Sequence, residues 1–154
     1  NVLLHSNPYI EEILLKKIPK FYDKFKTNIL YVCQPFNEDN LLDIDAINYF
    51  FSKLLKLKSN IIKVRLRLHP LETKDKYISV ISEYKNKFEI DFSIDSPLSD
   101  DLNWSDCVVG MHAQALAVAV EFGLNTFYCI PPKGKECVLP HTEILNFDQY
   151  KEFF

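Results

Sequence analysis

Two short segments carry the residues best suited to chemistry: His69-Pro70-Leu71-Glu72 and Gly110-Met111-His112-Ala113-Gln114. In the first, proline fixes the turn and pushes the preceding residue into an extended conformation, so His69 projects from the end of whatever element precedes it. A histidine so placed can hydrogen-bond a phosphate and, when protonated, neutralise part of its charge. In the second, Gly110 and Ala113 keep the turn small, so that a ligand can come close to the backbone. A helix starting there would aim the amides of its first turn, and its dipole, at an anion. His112 would add a side-chain donor. By spacing alone the same residues also suit a tight strand-to-helix turn, with His69 and His112 solvent-exposed.

Other chemistries lack the residues they need. No phosphate-cradling G-x-x-x-x-G-K-[ST] loop, dinucleotide G-x-G-x-x-G fingerprint or G-x-S-x-G nucleophile elbow occurs. With 3 glycines in the chain, a glycine-built phosphate cradle is excluded. His5, His69, His112 and His141 are scattered, so no metal site is predicted and no cofactor is expected. Of the four cysteines, Cys33, Cys107 and Cys129 lie in or beside apolar runs, Cys137 stands apart, and none forms a C-x-x-C pair. They read as buried free thiols of a reduced, cytoplasmic protein.

The elements that must position these residues alternate between strand and helix. Pro8 to Lys26 has Ile10, Ile13, Leu14, Ile18 and Phe21 at helical spacing, with Pro19 splitting it into two short helices. Asn28 to Cys33 is a continuous apolar run, a strand covered on both faces, closed by Gln34-Pro35. A polar loop, Phe36 to Asp43, leads to a helix capped by Asp43 or Asp45, with Ile47, Phe50, Phe51, Leu54 and Leu55 inward. The second strand, Ile61 to Leu68, alternates apolar residues with Lys63, Arg65 and Arg67, and ends at His69. A helix over Lys74 to Lys85 with Tyr77, Ile78, Ile81 and Tyr84 inward leads to the third strand, Phe88 to Asp95. There Glu89, Asp91, Ser93 and Asp95 alternate with apolar residues. A parallel pairing of these two strands would set the basic face beside the acidic one, and Arg65 and Arg67 then form a charge ladder or reach a ligand or missing domain. Ser99-Asp100-Asp101 reads as a solvated loop and helix cap. Cys107 to Met111 is the fourth strand, and His112 or Ala113 opens a helix that Gly123 stops. Thr126 to Ile130 is the fifth, and Lys133 to Phe154 reads as loop and one weak helix.

This alternation predicts an α/β, Rossmann-like parallel sheet with helices on both faces and strand order 3-2-1-4-5. In such a sheet ligands bind at the carboxyl ends of the strands, where strand order reverses. The predicted site is therefore Gln34 to Asn40, the turn His69, Pro70, Leu71 and Glu72, Asp95, and Gly110, Met111, His112, Ala113 and Gln114. Pro131 to Lys135 is a weaker member.

The net charge of −3 excludes a phosphate-backbone binder, so no nucleic-acid partner is expected. No apolar run reaches the roughly 20 residues of a membrane span. Asn1 to Ser6 resembles neither a signal nor a transit peptide.

The order of motifs resembles the C-terminal, donor-nucleotide-binding half of GT-B glycosyltransferases. The features are His69-Pro70 after a strand, an acidic strand end at Asp95, Ser105-Asp-Cys-Val-Val-Gly110, a helix Ala115-Leu-Ala-Val-Ala-Val-Glu-Phe-Gly123, and a further apolar strand. Among these enzymes the chain looks most like bacterial sialyltransferases and polysialyltransferases with a His-Pro motif. The resemblance implies half of a GT-B fold and a nucleotide-sugar donor, CMP-sialic acid favoured. It also implies a glycan acceptor bound by an N-terminal domain that carries the catalytic base and does not fit in this chain. His69 would contact the donor phosphate, and Met111 to Ala113 would stand where the family has a serine-containing phosphate motif. Asp95 would bind ribose or base. On this view residues 1–26 are a helical segment or interdomain linker and 27–154 the donor domain. The product would be a surface polysaccharide or lipooligosaccharide made in the cytoplasm, with peripheral attachment to the inner membrane face compatible. Alternatives are a CDP-glycerol- or UDP-sugar-dependent relative, a nucleotide-sugar epimerase half using Glu38 and Asp39, and a non-catalytic flavodoxin-like or receiver-like module.

Overall fold

The continuous apolar run becomes β1 (Lys26–Val32), the strand on which both halves of the sheet are built. In the computed structural model, which describes residues 7–22, 26–35, 37–38, 41–57, 61–132 and 142–149, β1 pairs in parallel on both sides. One neighbour is β4 (Ile61–Arg67) and the other β6 (Cys107–Gly110). Beyond β4 lies β5 (Glu89–Phe92), and beyond β6 lie β7 (Asn125–Tyr128) and β8 (Ile144–Asn146). The six-stranded order is β5-β4-β1-β6-β7-β8, a Rossmann-like α/β arrangement. The predicted order of five strands holds, and β8 extends it into the stretch expected to be loop and weak helix.

Alternation along β1 sorts the core into two layers. Ile29, Tyr31 and Cys33 face α2 (Asp43–Leu54) and α3 (Ile78–Tyr84), where Ile47, Phe50, Phe51, Leu54, Val80 and Tyr84 are buried. Leu30 and Val32 face α1 (Pro8–Leu15), α4 (Leu98–Trp104) and α5 (Gln114–Glu121), with Ile13, Leu102 and Leu116. Phe147, just after β8, enters the first layer against Phe50 and Phe127.

The charge ladder forms as the alternation predicts. Register sets Lys63 opposite Glu89 and Arg65 opposite Asp91. Arg65 is bidentate on Asp91 at 3.0 and 3.2 Å, and its guanidinium lies 4.1 Å from the Trp104 ring centroid.

Several local expectations are corrected. Among the described residues of the first segment only Pro8–Leu15 is helical, capped by Asn7, and Ile18 and Phe21 are exposed. That segment nevertheless packs on α4: the Ile18 amide donates to Asn103 Oδ1 at 3.0 Å, and Lys20 Nζ donates to the Leu102 and Asn103 carbonyls. The polar loop after β1 contains a short antiparallel pair, β2 (Asn37–Glu38) with β3 (Leu41–Leu42). Both acids expected at the start of α2 act there: Asp45 accepts from the Leu42 amide and Asp43 from the Ile44 amide. A 3-10 turn over Lys74–Tyr77 precedes α3, which rotates the helix so that Val80 is buried and Ile78 exposed. Ser99 and Asp101 are 2% and 1% exposed inside α4, so this is no solvated loop. Gly123, at φ +88, ends α5 as expected, with the Leu124 amide donating to the Ala119 carbonyl.

Cys33, Cys107 and Cys129 are buried free thiols, and burial pushes each well above the ordinary cysteine range. Cys137 lies outside the described residues. Among the described residues, no helix is long and apolar enough to cross a membrane.

Candidate functional site

A cavity of about 450 Å³ opens at the carboxyl ends of β1 and β4 beside the start of α5. This is where strand order reverses, because the chain lays β4 on one side of β1 and β6 on the other. Six of the predicted residues line it: Gln34, Pro35, His69, Pro70, Ala113 and Gln114. Val32, Leu98 and Val118 form apolar wall, and no carboxylate belongs to the lining.

His69 is braced from two directions. Its amide donates to Glu72 Oε1 at 3.1 Å, which closes the turn that Pro70 begins. Its Nδ1 accepts from the Leu71 amide at 3.1 Å, so the neutral imidazole carries its proton on Nε2 and keeps that nitrogen as donor. Glu72 itself does not line the cavity. Its side chain is 2% exposed and accepts from Lys76 Nζ at 2.7 Å and from the Tyr77 hydroxyl. Lys76 also bonds Asp43 on α2, which ties the turn to the neighbouring helix. Burial pushes the Tyr77 phenol far above its usual range, so it remains a donor.

The second predicted segment divides by depth. Gly110 and Met111 are buried beneath the cavity. A Cβ at Gly110 would meet the Val32 carbonyl and Leu116 Cδ2, both at 3.3 Å, so the residue is small to let β6 pass α5. The His112 amide donates to Gln34 Oε1 at 2.8 Å. Ala113 takes the N-cap position and supplies no side-chain acceptor. Gln114 and Ala115, the first residues of α5, line the cavity, and the amides of a helix's first turn have no intrahelical partner.

Asp95 lies elsewhere. It follows β5 in the left-handed region, at φ 48, and is exposed outside the cavity lining. Pro131 and Pro132 are also outside that lining, and residues 133–135 lie beyond the described residues, as do Phe36, Asp39 and Asn40. Among the described residues no cluster of histidine, cysteine or carboxylate groups suits a metal ion.

Arg67 belongs to the lining and was not among the predicted site residues. Its Nη1 donates to Asp101 Oδ2 at 2.7 Å and to the Ser96 carbonyl at 2.8 Å. The signal lay in the alternation: Arg67 is the last basic residue of the β4 ladder, two before His69. Tyr9 and Leu98 also reach the cavity, from helices that sequence patterns could not aim.

The topology and cavity define a Rossmann-like α/β domain with a pocket at the switch point of its sheet. No protein-family model and no curated protein matches the chain. Among solved structures it is similar to Thermosulfurimonas dismutans KpsC, beta Kdo 2,4 transferase, at 14% identity with a TM-score of 0.45. The alignment covers 83% of this chain and 47% of that one, so the chain spans about half its length.

Proposed function

We propose that this chain is the donor-binding unit of a glycosyltransferase, holding the phosphate of a nucleotide sugar between His69 and the first turn of α5. The reading is carried by one observation. In a chain of net charge −3, the cavity at the sheet's switch point has no carboxylate in its lining and offers His69, Gln34 and helix amides as donors. The order of motifs from β4 to β7 supports the same reading.

When a glycosidic bond to a nucleotide breaks, negative charge develops on the departing phosphate. Donors fixed before the reaction stabilise that charge more than the ground state, which is how such a site would contribute to rate. His69 Nε2 and the α5 amides would perform this role without a metal ion. The acceptor glycan and the catalytic base would come from an N-terminal partner domain. A CMP-linked donor such as CMP-sialic acid is the favoured substrate, and surface-glycan synthesis in the cytoplasm, at the inner membrane face, is the corresponding setting. His112-Ala113 stands where the resembling family has serine, which makes the identity of the donor the point to measure.

Calorimetric titration with CMP, CDP, UDP and GDP, repeated on His69→Ala, tests the proposal. Selective binding of a cytidine nucleotide, weakened by roughly 1 to 3 kcal/mol in the variant, is the expected result for a lost charge-assisted hydrogen bond. A preference for UDP would move the donor to the uridine class. No binding by any of the four would sink the donor reading.

A further inference from the structure

We infer that Arg67 is a second anion-binding point in the cavity, so that the ligand carries two anionic groups: a phosphate and, beside it, a carboxylate or further phosphate. The inference takes its first point, His69 and the α5 amides, from the donor reading above. The second point stands on separate observations.

Arg65 and Arg67 lie on the same face of β4, yet their guanidinium groups are used differently. Arg65 places its Nε–Nη2 edge on Asp91, the geometry in which a guanidinium holds a carboxylate bidentately. Arg67 would find its cross-strand partner one ladder step beyond the end of β5. The acidic series Glu89, Asp91 is interrupted there by Ser93, which supplies no carboxylate and whose hydroxyl donates to Asp101. Asp101, 1% exposed on α4, takes the place of the missing acid, but it engages Nη1. The Ser96 carbonyl accepts from the same nitrogen.

A guanidinium has five N–H donors, of which Nη1 supplies two. The Nε–Nη2 edge of Arg67 has no acceptor among the described residues, and the residue lines the cavity. This edge matches the paired oxygens of a carboxylate or phosphate. Asp101 positions the guanidinium through Nη1 and leaves the bidentate edge toward a ligand. His69 follows Arg67 by two residues on an extended chain, which separates their Cα atoms by about 7 Å. Adjacent anionic groups of one small ligand can span a gap of that size between two long side chains.

The test is titration of the whole chain with phosphate, pyrophosphate and phosphonoacetate, on wild type, Arg67→Lys and Arg67→Met. Arg67→Lys keeps the charge and an ion pair to Asp101 while removing the planar edge, so it stays informative if Arg67→Met unfolds. Wild type is expected to bind at least one two-headed anion about tenfold more tightly than phosphate, the range of one charge-assisted contact. Arg67→Lys should lose most of that advantage, bringing the affinity for the two-headed anion close to that for phosphate in the same variant, whereas a purely structural arginine would leave the ratio of the two affinities unchanged. A preference for pyrophosphate assigns the second group as phosphate; a preference for phosphonoacetate assigns it as carboxylate. The inference is overturned if neither two-headed anion outbinds phosphate, if the advantage survives in both variants, or if none of the three anions binds. No nucleotide enters this experiment. Arg67-dependent binding here, with no nucleotide binding in the titration above, would sink the donor reading and leave this inference standing.

Discussion

The Gln34 side-chain oxygen accepts a hydrogen bond from the His112 amide at 2.8 Å, joining the carboxyl end of β1 to the turn that starts α5. The bond satisfies an amide that the turn would otherwise leave half-buried, and it directs the Gln34 amino group away from that amide. Gln34→Ala is expected to cost about 1 kcal/mol of stability in urea unfolding. Gln34→Glu retains the acceptor but adds negative charge to the cavity wall, so its stability should stay near wild type while anion affinity drops. Unchanged anion affinity in Gln34→Glu would show that this side chain does not face the ligand.

Glu72 closes the His69 turn without facing the cavity. In Glu72→Ala the His69 amide, Lys76 and Tyr77 each lose an acceptor. We expect destabilisation of about 3 to 5 kcal/mol, the range for breaking a buried charged network. Tyr77→Phe removes one member only and should cost about 1 kcal/mol. Equal losses in the two variants would argue that Glu72 is not the hub of the brace.

Gly110 lies where β6 passes beneath the cavity, with the Val32 carbonyl and Leu116 Cδ2 each 3.3 Å from the site of a Cβ. Leu116 can yield by a few tenths of an ångström, whereas the β1 carbonyl is held by the sheet. Gly110→Ala should therefore be mildly destabilising, and Gly110→Val should reach about 1 to 3 kcal/mol, as for an overpacked core. A Gly110→Val protein with wild-type melting behaviour would contradict this geometry.

Burial keeps the Cys33, Cys107 and Cys129 thiols protonated to far higher pH than in an unfolded chain, and does the same for the Tyr31 phenol. The unfolded thiols ionise near pH 8.5 to 9. Stability from these groups is therefore complete below that range and declines as pH rises through it, because only the unfolded state gives up the protons. The limiting slope is about 1.4 kcal/mol per pH unit for each thiol. Lysines 20 and 76, lowered by burial, offset part of it. Urea midpoints measured from pH 7 to 10.5 should fall above pH 9, and less steeply in Cys107→Ala. A flat profile would refute the assignment.

Much of this protein could be seen in local patterns. The apolar run at residues 28–33 announced a strand covered on both faces, and the Lys63-Arg65-Arg67 and Glu89-Asp91 alternations announced two strands that pair. Those patterns depend on neighbours two to four residues apart, so the chain displays them before it folds. β8 could not be seen, because Ile144–Asn146 is too short to show a period and becomes a strand by pairing with β7. Asp101 looked solvated within Ser99-Asp100-Asp101. Its burial follows from Arg67 and Ser93, each supplied by a strand distant in sequence.

The sequence by itself determined the order of the strands β5-β4-β1-β6-β7, the reversal of that order at β1, and hence that Gln34, His69 and Gly110 to Gln114 gather at one end of the sheet. Only the tertiary structure decided which of them border the cavity. Depth and side-chain direction depend on packing between elements: Gly110 and Met111 sink under α5, Glu72 turns inward to Lys76 and Tyr77, and Asp95 departs with the exposed end of β5. Arg67 reaches the cavity because the acid that holds it comes from α4 rather than from the next step of the β5 ladder.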